Sequence, residues 1–134
     1  MVEPKQDVHV KDELDEEKVV IDFAAVRAMT MEDADFEKAL FDGFEDGVKK
    51  ILDELALSIS ASDFDNVKLH GHSLKGLART LFAAPLVAAC EAVEAAALNK
   101  DAGLLLRNVE LMKAELDEVC ELLNTRESED AVAE

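Results

Sequence analysis

The sequence predicts an all-α domain, an up-down-up-down antiparallel four-helix bundle with a short extra N-terminal helix. Three observations carry that prediction. Ala and Leu dominate a chain that is 49% hydrophobic, whereas Trp and Tyr are absent and only six Phe, two Pro and five Gly occur, a balance that favours helix over sheet. Apolar residues recur at threes and fours almost throughout, the period of a helix with one buried face. The breaks between these stripes are short, so successive helices return on one another. A chain of 134 residues makes one domain with a single core.

Each element can be read in turn. Residues 1–17 are polar, charge-dense and aperiodic, and predict a disordered acidic tail. Val19, Val20, Ile21, Phe23, Ala24 and Val26 predict a short opening helix. Thr30-Met31-Glu32-Asp33 resembles an N-cap with an acidic residue three positions on. It introduces a long stripe of Phe36, Leu40, Phe44, Val48, Ile51, Leu52, Leu55 and Ile59. Ser60 or Ser62 is expected to cap the next helix, which carries Phe64, Val67, Gly71, Leu74, Ala78 and Leu81 on one face. Ala84-Pro85 breaks that helix, and proline suits the first turn of its successor. The fourth helix buries Leu86, Val87, Ala89, Cys90, Val93 and Ala96 or Ala97. Asn99-Lys100-Asp101 turns the chain into a last stripe of Leu105, Val109, Met112, Leu116, Val119 and Leu123. The bundle domain therefore spans residues 18–124, and residues 125–134 predict a second disordered acidic tail.

Charge and composition exclude several classes. With 31 Asp and Glu against 14 Lys and Arg, the net charge is −17, which argues against nucleic acid as a partner. No apolar run reaches the ~18 residues of a membrane span, and the N-terminus has no signal-peptide core. Cys90 and Cys120 fall in apolar stripes and read as small buried hydrophobes of a reduced, cytoplasmic, monomeric protein.

Against this acidic background one stretch stands apart. From Asn66 to Cys90, 25 residues carry no carboxylate, where average composition would place about six. His72 lies inside it. At about 100° per residue, Lys68, Lys75, Gly76 and Arg79 share its side of the third helix, while Gly71 and Leu74 run along the buried seam. Glycine in a helix interior costs about 1 kcal/mol relative to alanine. Gly71 repays this through close helix packing; Gly76, off the seam, does not. Its missing side chain opens an approach to the imidazole. Lys75 has no acidic residue three or four positions away on its own helix, as suits a cation that meets an external anion. The residue types thus point to a histidine that engages an anionic group. His70 is only two residues from His72, and their side chains diverge by about 200°. With His9 in the tail and both cysteines in apolar stripes, no metal site is expected.

His72-Ser73-Leu74-Lys75-Gly76 resembles the His-x-x-Lys-Gly signature of histidine-containing phosphotransfer (HPt) domains. The resemblance continues through Leu81, Ala83, Leu86, Cys90 and Glu94 and covers roughly residues 20–124. Phe82 departs from it, since such domains usually have glycine near the end of this helix, with consequences for the turn or the docking surface. Leu77 and Ala78 stand where small polar residues are common, a departure bearing on partner choice.

The resemblance implies a four-helix bundle that carries a phosphoryl group on His72. The group would come from a receiver-domain aspartyl phosphate and pass to another response-regulator receiver in two-component signal transduction. A neutral imidazole nitrogen is a competent nucleophile near pH 7. By the same resemblance Lys75 would offset phosphoryl charge and Gly76 would admit the receiver's loops. Helix geometry adds Lys68 and Arg79 as partner-binding residues, and Ser73, inside the motif, is expected to join them. The implied partners are response-regulator receivers and a hybrid histidine kinase. Mg²⁺ would be supplied by the receiver, so neither a cofactor nor a metal is expected on this chain. No Gly-rich phosphate loop is present, which argues against an autonomous kinase. A competing reading is a helical interaction module that binds a receiver or other acidic partner without accepting phosphate.

Overall fold

The computed structural model describes residues 18–133, with side chains described as far as Arg126. The tail predicted for residues 1–17 lies outside the described residues. Within them are five helices and no strand: α1 (Phe23–Met29), α2 (Ala34–Ser60), α3 (Phe64–Thr80), α4 (Ala84–Leu98) and α5 (Ala102–Ala133). From α2 onward each helix packs against the next in sequence. One core joins them, with Phe44 and Leu55 of α2, Leu74 of α3, Leu86 of α4, and Met112 and Leu123 of α5 all fully buried. The predicted stripe of α5 is buried at every one of its six positions. No helix among the described residues is long and apolar enough to cross a membrane.

The three turns between the long helices share one design. Each helix ends on a residue in left-handed conformation, Ser62, Phe82 or Lys100, with φ of 54°, 53° and 55°. The next residue donates its N–H to the carbonyl five positions back, Asp63 to Ser58, Ala83 to Ala78 and Asp101 to Ala96, which satisfies carbonyls that a helix end leaves open. That residue then opens the following helix. The cap of α3 is therefore Asp63, whose carboxylate accepts from Asn66 N at 3.2 Å, rather than the expected Ser60 or Ser62. Likewise Asp33 caps α2 by accepting from Asp35 N and Phe36 N. Thr30 instead ends α1, buried, with its hydroxyl donating to the Val26 carbonyl. Sequence reading placed both caps early because it had no register for the left-handed residues between the helices. As expected, Pro85 lies in the first turn of α4.

Other differences are local. The opening helix starts only at Phe23, behind the Asp22 cap, which accepts from Ala25 N. Phe36 is exposed one turn before the core begins, whereas Phe41 is buried and meets Phe23 edge-on at 6.3 Å. Cys120 is only half-buried; Cys90 is fully buried. The largest difference is at the C-terminal end, where α5 runs on to Ala133 in place of the tail expected from Thr125. Polarity is not a helix stop: residues 125–133 contain no Gly or Pro and include good helix formers. Arg126 anchors this extension, its guanidinium 4.5 Å over the Phe23 ring and 3.3 Å from Glu37.

Candidate functional site

His72 projects from the middle of α3 with its side chain 67% exposed. Its Nδ1 lies 2.9 Å from Oε2 of Glu94 on α4. The other oxygen of the same carboxylate accepts from Lys75 Nζ, also at 2.9 Å. Lys75 and Glu94 are largely buried, with side chains 12% and 15% exposed, so an exposed imidazole stands on a sequestered ion pair. Burial works to raise the Glu94 carboxyl, but hydrogen bonds from Lys75 and His72, with the charge of both, outweigh it and hold the group below the ordinary glutamate range. An ionised carboxylate only accepts hydrogen bonds. Nδ1 must therefore carry a proton, and in the neutral ring that leaves the Nε2 lone pair for chemistry.

Packing brings Glu94 to this position. A Cβ at Gly71 would lie 3.4 Å from Glu94 Cγ and 3.4 Å from Val93 Cγ1, so the bare backbone of α3 lets α4 approach and sets the carboxylate level with His72. Gly76 has no such role. A Cβ there would meet nothing within 4 Å, which leaves open space one turn beyond the imidazole.

Lys75 departs from expectation. It has no partner on its own helix but is paired across the helix interface, 2.9 Å from Glu94 and 3.9 Å from Glu91. Arg79 also reaches Glu91, at 3.8 Å, and stays more than half exposed. The carboxylate-free stretch is thus balanced by the first two acids that follow it, and the expected cationic patch is a charge-paired one. Lys68 makes no ion pair among the described residues, and it and Ser73 are exposed. His70 faces the opposite way, its Nδ1 3.8 Å from Glu54 on α2. Among the described residues no group of three or more His, Cys, Asp or Glu is placed to hold a metal. Ala78 is fully buried and cannot meet a partner, and Leu77 fills the space beside Gly47.

Glu94 is the site residue that helix-by-helix reading missed, because its partners belong to another helix. A signal was present: Glu91 and Glu94 are the only charged residues in the Ala-rich sequence of α4, and they sit one turn apart. Phe82 keeps the turn in which glycine is usual, at the strain of a left-handed aromatic residue. In comparison with known families, the model described as Hpt domain matches residues 39–123. No curated protein matches the chain.

Proposed function

The chain belongs to the Hpt domain family, and on that premise we propose that it is a phosphorelay intermediate in which His72 carries the phosphoryl group. Hpt domains are phosphocarriers of two-component phosphorelays, not kinases, and they work with response-regulator receivers and histidine kinases. The family fold and the short turns favour an antiparallel up-down-up-down arrangement of α2 to α5. The observation that carries the assignment of His72 is its exposed ring, bound at Nδ1 by the Glu94–Lys75 pair.

In this reading the Nε2 lone pair attacks the phosphorus of a receiver's aspartyl phosphate. The N–P bond forms as the acyl P–O bond breaks, and the aspartate leaves as a carboxylate. The proton on Nδ1 stays where it is, so the phosphorylated ring is cationic and Glu94 stabilises it across 2.9 Å. Onward transfer reverses these steps at a second receiver. Lys75 shares its charge between Glu94 and the phosphoryl oxygens, and Gly76 leaves room for the receiver's loops. Lys68, Ser73 and Arg79 contact the docked receiver. Such transfer depends mainly on positioning and electrostatics. The receiver supplies Mg²⁺, and this chain binds none.

Incubation of the chain with a phosphorylated receiver and Mg²⁺ tests the proposal. Acid-labile label should appear on the wild type and not on His72→Gln. Equal labelling of the two, or no label on the wild type, would favour an interaction module that binds without accepting phosphate.

A further inference from the structure

An apolar groove of about 660 Å³ opens beside the turn between α3 and α4. Val19, Phe82, Val87 and Ala88 are among its apolar lining, and Asp22, Arg79 and Glu91 supply its charge. Phe82 and Val19 are large apolar side chains left 41% and 57% exposed. A backbone hydrogen bond from Asp22 N to the Phe82 carbonyl, 3.2 Å, ties the segment before α1 to the turn, so the groove is a built feature of the fold. Phe82 holds its ring there from a left-handed backbone. Four other turn residues share that conformation, so strain alone does not mark Phe82, but it is the aromatic one among them.

The groove is continuous with the His72 face. Arg79 and Lys75 both reach Glu91, and Lys75 reaches the carboxylate that binds His72. Phe82 is ten residues from His72, about 15 Å along a helix at 1.5 Å per residue. A standard protein interface covers about 800 Å² per partner, a disc about 16 Å in radius. A partner of ordinary footprint centred on His72 therefore reaches the near edge of the groove at Phe82.

We propose that this groove receives an apolar side chain, of the Leu, Ile, Met or Phe kind, from the receiver domain that exchanges phosphate with His72. Phe82 is then a partner-selecting residue. The proposal rests on the phosphorelay reading, and the test separates the two. Full-length wild type, Phe82→Gly and Ala88→Glu are labelled by a small phosphoramidate and, separately, by the phosphorylated receiver of the source organism that labels the wild type fastest. Glycine suits the left-handed turn, and Ala88 is exposed on α4, so both variants should fold. The expected result is unchanged labelling by phosphoramidate, and a KM for the receiver raised about tenfold with kcat retained, the loss of a contact worth one decade. Wild-type KM in both variants would overturn the groove proposal and leave the phosphorelay reading standing. Unchanged KM with loss of self-association would assign the groove to a second copy of the chain and also overturn it. Failure of every receiver to label the wild type would remove both.

Discussion

At the level of single residues, the chemistry available to His72 is governed by a carboxylate 22 positions away in the chain. Glu94 selects the imidazole tautomer and answers the positive charge that phosphorylation would create. Replacing it with Gln removes that charge while keeping an acceptor, and transfer rates should fall about tenfold, as expected for one charge-assisted hydrogen bond. The same substitution should lower stability near pH 7 by about 1–2 kcal/mol. Because the folded chain holds this carboxyl below its ordinary range, the stabilising contact is complete above about pH 4.3 and is lost as pH falls through the folded value. Thermal melts of wild type and Glu94→Gln should therefore converge as pH falls; a gap that stays constant throughout the acid range would assign the stability loss to packing. Cys90 offers a second residue-scale check. Burial, with a smaller contribution from the Glu94 charge, pushes its thiol up to about 12. Thiolate is the reactive form, so a thiol reagent at pH 8 should leave Cys90 unmodified until denaturant is added.

At the scale of the element, α3 contains two glycines with opposite duties. Gly71 lies close against α4, where a Cβ would touch Val93 and Glu94 at 3.4 Å, whereas Gly76 borders open space. Gly76→Gln should raise helix stability by up to about 1 kcal/mol, visible as a higher midpoint of thermal unfolding, while slowing transfer to His72. Unimpaired transfer would remove the proposed reason for the glycine. The left-handed turn residues allow a prediction without functional cost. Lys100 lies far from His72 in sequence, in the turn between α4 and α5, and Lys100→Gly should stabilise the chain by about 1 kcal/mol, since glycine avoids the left-handed penalty. A melting temperature unchanged or lower in that variant would show that the lysine side chain compensates for the strain.

For the whole molecule, what was legible in the sequence was whatever a single helix specifies about itself. The period of apolar residues located the buried faces, above all in α5, and the spacing around His72 separated it from His70 and from the seam through Gly71. What was not legible depends on neighbours in space. The caps Asp33 and Asp63 depend on turn geometry that hydrophobic period does not encode. The end of α5 depends on Arg126 meeting Phe23 and Glu37 more than 80 residues earlier. Lys75 looked free for an external anion because its partners, Glu91 and Glu94, lie on the next helix. These interhelix contacts turn a basic surface patch into one exposed imidazole on a charge-paired base. Nitrogen-resolved NMR of the chain after labelling by a phosphorylated receiver puts the role of His72 to its sharpest test. The phosphoryl group should sit on Nε2 of His72, with Nδ1 still protonated. Phosphate on Nδ1, on His70, or on no histidine at all would contradict the account.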